Sequence, residues 1–190
     1  MNSLRALFFM LIASWLSGCA TSVNVDYDEK IDFNALKSFA ILPADESKTD
    51  DIRISSPLFA TRVSNALTST LSNRGYKKEE SSPDFFVTYH LRIKQEVESR
   101  NTGMRVGVGS YGSHSAIGMS YGFPAYDVYS YERGILTIDI LNNKKILIWR
   151  GSTSRVLNDS KTPKEDDKTV NEVVAQILEK FPPEIKSQVK

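Results

Sequence analysis

Pro83-Asp84-Phe85-Phe86-Val87-Thr88-Tyr89-His90-Leu91-Arg92-Ile93-Lys94 changes the hydrophobic period of the chain. Phe85, Val87, Tyr89, Leu91 and Ile93 fall on one side; Phe86, Thr88, His90, Arg92 and Lys94 fall on the other. Strand side chains alternate between faces, so the pattern predicts a strand buried on one face and largely wet on the other, as in an antiparallel sheet covered on a single side. Leu136, Ile138 and Ile140 repeat it within Gly134–Leu141, and Asn142-Asn143 supplies a hairpin turn into Lys145–Gly151. That last strand has large apolar groups on both faces, which leaves the direction of Trp149 open.

Working outward, Ser56-Pro57 reads as a helix N-cap with proline in the first turn. Phe59, Val63, Ala66, Leu67 and Leu71 then recur at steps of three and four, and Arg74-Gly75 ends the helix with glycine past its terminus. Lys37–Pro43 reads as a strand ended by proline, followed by a solvated loop from Asp45 to Asp51. Val23, Val25 and Tyr27 alternate as a short edge strand. Beyond a charged loop from Asn158 to Asp167, Val170, Val173, Val174, Ile177, Leu178 and Phe181 mark a second helix, stopped by Pro182-Pro183. Two amphipathic helices and a one-sided sheet predict an α+β fold: a two-layer sandwich with a mostly antiparallel sheet of four to five strands and both helices packed on one face. If the strands at Phe39 and Phe85 are parallel neighbours, the helix between them forms a right-handed crossover.

Between residues 99 and 134 the composition shifts to Gly, Ser and Tyr, with Tyr111, Tyr121, Tyr126, Tyr129 and Tyr131 in this stretch. A connection of this length reads either as a partner-binding loop built from rigid tyrosines or as an extended loop without a ligand. Gly107–Gly112 matches G-x-G-x-x-G and Gly118–Gly122 matches G-x-S-x-G. The first lacks the helix that a phosphate cradle needs, and both histidines, His90 and His114, precede Ser120, against the hydrolase order. His90 and His114 give a metal site two ligands at most unless carboxylates converge. No catalytic, cofactor-binding or metal-binding residue is assigned, and the expectation is a protein that is not an enzyme.

The N-terminus carries different information. After Arg5, Ala6–Leu16 is an uncharged run of about eleven residues, too short for a membrane span, which needs about 20, and suited to a signal peptide. Leu16-Ser17-Gly18-Cys19 resembles the lipobox of bacterial lipoproteins, and Cys19 is the chain's one cysteine. The resemblance implies diacylglycerol on the Cys19 thiol, cleavage after Gly18 and acylation of the new amino group. The alternatives are that Cys19 is an ordinary residue of a leader or that the segment is an uncleaved anchor. Ala20, where the lipoprotein sorting rule reads aspartate as inner-membrane retention, implies the outer membrane on its periplasmic side. The expected organisation is a signal peptide at 1–18, a lipidated tether at 19–22 and one domain at 23–190.

The chain has 24 Lys and Arg against 23 Asp and Glu. This balance argues against nucleic acid or an anionic bilayer face as the main partner. With Cys19 acylated no internal disulfide can form, so stability must come from packing, which 41% hydrophobic content allows.

Val25-Asp26-Tyr27-Asp28, Asp32-Phe33, Ser38-Phe39-Ala40, Arg74-Gly75-Tyr76, Pro83-Asp84-Phe85, Tyr131–Asp139 and Trp149-Arg150-Gly151, in this order, resemble the DUF4136 family of bacterial lipoproteins. The resemblance implies fold, lipidation and envelope location; it brings no activity and no site residue. Three functional classes follow. The first is an outer-membrane accessory or binding module of an envelope complex, held to the membrane through Cys19. The second is a binder or carrier of a small apolar or lipid ligand, and the third, least supported, is an enzyme. Because four extended residues span at most ~14 Å, the tether would keep the domain near its leaflet and favour a protein partner in or beside the same membrane.

Overall fold

The computed structural model describes residues 22–43, 51, 53–101, 126–157 and 162–184, the side chains of 99–101 and 126–127 excepted. Strand β1 (Asn24–Tyr27) leads through a 3-10 turn at Phe33–Ala35 to β2 (Ser38–Ile41) and helix α1 (Pro57–Asn73). Then come β3 (Lys77–Lys78), β4 (Phe85–Asn101), β5 (Tyr126–Asn142), β6 (Leu147–Val156) and helix α2 (Pro163–Leu178). The sheet order is β1-β6-β5-β4-β2-β3. The α+β expectation holds, with six strands rather than four to five. The sheet is also more mixed than expected: β2 runs parallel to both β4 and β3, while the other three pairings are antiparallel. The condition for the crossover is met, since β2 and β4 are parallel neighbours with α1 between them in the chain.

Helix α1 buries Val63, Ala66, Leu67 and Leu71 against the sheet. Its end shows why Arg74-Gly75-Tyr76 reads as a stop. Gly75 sits at φ +91, its N–H donates to the Ser72 carbonyl at 3.0 Å, and the Tyr76 N–H donates to the Leu71 carbonyl at 3.1 Å. These are the two bonds of a Schellman cap, which satisfies carbonyls that the helix leaves without partners. Arg74 then reaches the end of the other helix: its guanidinium donates to the Leu178 carbonyl, to Phe181 O at 2.5 Å and to Glu179 O at 3.4 Å. A cation there also complements the negative end of α2.

Helix α2 starts earlier than the charge pattern suggests. Thr162 is its N-cap, accepting from the Glu165 N–H at 3.3 Å, and Pro163 occupies the first turn. The expected loop to Asp167 is therefore corrected: Thr162-Pro163-Lys164-Glu165 carries the spacing of a capping box, and Glu165 and Asp166 lie in the first helical turn. After α2, fully buried Phe181 becomes the hub of an aromatic cluster. Its ring lies 5.9 Å from Phe33, 5.7 Å from Tyr76, 5.7 Å from Phe85 and 5.4 Å from Trp149, centroid to centroid.

The open question of Trp149 is resolved by a β-bulge. Ile140 pairs with Trp149 but Leu141 pairs with Leu147, so Ile148 is an extra residue and two consecutive side chains are buried. Trp149 points into the core, and its indole N–H finds no acceptor among the described residues. At the preceding turn, Asn142 Oδ1 accepts from the N–H groups of Lys144 at 2.9 Å and Ile146 at 3.0 Å.

Two polar clasps hold the sheet. Asp84 Oδ2 accepts from the Lys37 N–H, the Ser38 N–H and the Ser38 hydroxyl, each at 2.9 Å, tying the start of β4 to the start of β2. Those bonds, the Lys37 amide first, hold its carboxyl below the ordinary carboxylate range. A depressed folded pKa means stability that is complete above the unfolded value, about 3.9, and is lost as pH falls through the folded value. Thermal melts should therefore show Asp84→Asn below wild type at neutral pH, with the gap closing from about pH 4 downward. A gap of constant size across that range would remove Asp84 as the titrating group.

The second clasp lies on the sheet face away from the helices. Arg150 Nε and Nη2 donate to Asp139 Oδ1 and Oδ2, both at 2.6 Å, and His90 Nε2 lies 3.6 Å from Asp139 Oδ2. Asp139 is only 4% exposed although it stands on the wet face of β5. A two-pronged guanidinium contact explains how a carboxylate tolerates that burial.

Candidate apolar cleft

The 17 residues of β4 reach about 56 Å at 3.3 Å per residue, whereas the 17 of α1 reach only about 26 Å at 1.5 Å per residue. No helix of that length can cover the whole strand. Among the described residues, the part of the buried-type face that the helices leave uncovered forms a cleft of about 940 Å³ at the N-terminal ends of both helices. Its floor includes Leu91 and Ile93 of β4 and Leu136 of β5, and its walls include Phe59, Val170 and Val173 from the helices. Gly134 lets Leu157 lie across the floor, since a Cβ at Gly134 would come within 2.8 Å of Leu157 Cδ2.

Charged side chains along the rim are paired with one another. Arg53 donates to Glu132 Oε2 at 2.5 Å and to Asp51 Oδ2 at 2.7 Å. Arg53 holds both carboxyls below their ordinary values through these side-chain bonds. Arg62 donates to Asp167 Oδ1 at 2.8 Å and lies 3.9 Å from Asp166, joining α1 to the start of α2. Arg155 bridges β6 to Glu172 of α2 at 3.4 Å, and Lys168 approaches the same carboxylate at 3.8 Å. Chemically the arrangement is an apolar trough between balanced charges.

Residue 22 enters the fold at this trough. Thr153, which is buried and lines the cleft, donates its hydroxyl to the Ser22 carbonyl at 3.2 Å. Val23 packs against the core.

Three of the five tyrosines expected in one loop lie in a strand. Tyr126, Tyr129 and Tyr131 belong to β5, so the connection expected at about 99–134 is shortened at both ends by strands that run to Asn101 and from Tyr126. Beyond the last β6 pairing at Arg133, β4 and β5 continue as a two-stranded ribbon. On it Tyr129 is 54% exposed, and the Arg133 guanidinium stacks 5.6 Å above the Tyr131 ring while donating to Glu96 at 2.9 Å. Tyr111, Tyr121, His114, the two glycine motifs and Cys19 lie outside the described residues. His90 stands beside Asp139, away from the cleft. Among the described residues no three His, Cys, Asp or Glu side chains gather as a metal site, and no helix is long and apolar enough to cross a membrane.

Sequence reading found the cleft's floor residues but took them for ordinary core. The signal that marks them as more is length: the apolar alternation outruns any helix able to cover it.

A family model described as "Domain of unknown function (DUF4136)" matches residues 23–183. No curated protein matches the chain in sequence. Among solved structures, a PDZ domain protein from Parabacteroides distasonis superposes with a TM-score of 0.48 at 16% identity, over 85% of this chain. The chain spans only 35% of that protein's length. The PelC dodecamer from Paraburkholderia phytofirmans gives 0.43 at 10% identity, over 83% of this chain and 94% of that one. A minor lipoprotein from Acinetobacter baumannii gives 0.37 at 12% identity, over 76% and 91%.

Proposed function

The chain belongs to the DUF4136 family, and from that premise we propose that it is an outer-membrane lipoprotein, anchored on the periplasmic side through acyl chains on Cys19 and acting as a non-catalytic binding or accessory module of an envelope complex. The carrying observation is the bond from Thr153 to the Ser22 carbonyl. Ser22, bonded to Thr153, lies three residues after Cys19, and three extended residues span at most about 11 Å. A domain on so short a lead stays beside its leaflet, within reach of partners in or on that membrane and not of partners across the compartment. The polar face of the sheet and the exposed Tyr129 of the ribbon are the surfaces offered to such a partner.

Anchoring has a direct test. In cells, Cys19→Ser should abolish incorporation of labelled fatty acid, keep the leader attached and remove the protein from the outer-membrane fraction. Acyl chains contribute about 0.8 kcal/mol per buried methylene, so the redistribution should be near complete. Unchanged acyl labelling and fractionation would remove the anchor. In-cell photo-crosslinking from Tyr129, read by mass spectrometry, should then capture an envelope protein of the same membrane.

The cleft favours a second reading, a binder of a small apolar or lipid ligand. Its volume falls within the range of ligand sites, about 300–1,000 Å³. Lipophilic mass retained by the delipidated protein in native mass spectrometry would support it.

A further inference from the structure

We infer that the cleft-bearing face of the fold is the face that lies against the bilayer, seated on a zwitterionic phospholipid leaflet, with the polar sheet face turned toward the aqueous compartment. The inference rests on the anchoring proposed above and adds an orientation to it.

Three observations carry it. The first is the position of residue 22: the Ser22 carbonyl is held at the cleft by the Thr153 hydroxyl. An anchor within about 11 Å of this point cannot bring the opposite face to the leaflet without lifting the cleft wall off it.

The second is the distribution of exposed aliphatic groups. Leu58, one turn before the cleft-lining Arg62, is 67% exposed. Val97 continues the alternation of Leu91 and Ile93 onto the ribbon at 68% exposure, Val128 stands on the same side at 65%, and Leu157 crosses the floor at 37%. Together they extend the apolar floor along one side of the molecule. The other side presents His90, Arg92, Thr137, Ser152 and Ser154 around the Asp139–Arg150 clasp. Ile146 and Leu147, also exposed, sit at the β5–β6 turn, six or seven residues along the strand from Thr153.

The third is charge. The rim guanidiniums are bonded to rim carboxylates. Such a rim has little net field with which to collect anionic lipid, so seating depends on apolar burial and responds weakly to salt.

The experiment uses the full acylated protein in vesicles of phosphatidylethanolamine and phosphatidylcholine. Nitroxide labels are introduced by Leu58→Cys and Val97→Cys on the cleft side, and by Arg92→Cys and Ser152→Cys on the sheet face; the Cys19 sulfur is occupied by lipid and takes no label. Collision rates with oxygen and with a water-soluble nickel chelate report depth. The ratio of oxygen to nickel collisions should rise about threefold or more at Leu58 and Val97 on going from detergent to vesicles, as for groups entering the headgroup–acyl boundary, and stay constant at Arg92 and Ser152. The rise should persist from low to high salt. Equal ratios at all four positions, or a rise confined to Arg92 and Ser152, would overturn the orientation while leaving the anchor intact. Failure to co-sediment with vesicles would instead remove the anchor, and the orientation with it.

Discussion

Phe181→Ala is expected to cost about 3–5 kcal/mol of folding stability. The ring is fully buried and contacts four other aromatic rings, from the 3-10 turn, the stretch after α1, β4 and β6. Those partners come from separate parts of the chain and cannot collapse together into the space the ring leaves, so the transfer and cavity terms both apply. Domains of this size are typically stable by only about 5–15 kcal/mol, so a large share of the total is at stake. Urea unfolding followed by fluorescence reads the effect locally. The chain's two tryptophans are Trp15, in the proposed leader, and Trp149, whose ring lies 5.4 Å from Phe181. A loss below about 1 kcal/mol would mean that the cluster repacks, and Phe181 would no longer be its hub.

Gly151→Ala should be damaging for the opposite reason. A Cβ at Gly151 would press against Trp149 Cη2, and would lie 2.7 Å from Ile177 Cγ2 and 2.9 Å from Trp149 Cζ2. Neither neighbour is the free end of a flexible side chain: one is an aromatic ring and the other a branched methyl of α2. Overpacking of a tight core costs about 1–3 kcal/mol and occasionally more, and this position belongs at the upper end. Removing the obstructing ring should help. In a double-mutant cycle read by circular dichroism, Trp149→Phe with Gly151→Ala should lose clearly less than the sum of the two single changes. Simple additivity would show that the crowding is not with the indole.

Much of this fold was legible in the sequence because burial writes a period into it. Both helices, the β4 and β5 alternation and the edge strand at Val23–Tyr27 repeat the pattern of what they cover. Where nothing is covered, the pattern fades. β4 continues past Lys94 and β5 begins at Tyr126 with few buried side chains, so residues that form a ribbon look like loop text. Strand β3 is two lysines, defined only by main-chain bonds such as Lys77 N–H to Lys37 O at 2.9 Å and Glu79 N–H to Phe39 O at 2.8 Å. Asp139 was legible as strand but not as buried, since the Arg150 fork that shields it comes from a neighbouring strand.

The landmarks that carry the resemblance to the family fall largely on such points. Arg74-Gly75-Tyr76 closes one helix and caps the other, Pro83-Asp84-Phe85 clasps Ser38, and Trp149-Arg150-Gly151 supplies an indole, a clasp and the clearance between strand and helix. Each is explained by architecture. A pocket between helices and sheet belongs to the ligand-binding expectation, but its position was not legible, because its defining property, an excess of strand length over helix length, belongs to no single residue.

The four-residue edge strand β1, held on one side by β6 alone, is also the fold's mechanical entry point. Tension applied through the chain at residue 22 arrives first at the Thr153 bond and at the main-chain rungs from Asn24 to Tyr27. Antiparallel rungs at a sheet margin can open in sequence like a zipper, whereas the Phe181 cluster lies farther along the chain. A sustained tug should therefore strip this strand before disturbing the remainder, lengthening the leash by several residues while the rest of the domain stays folded.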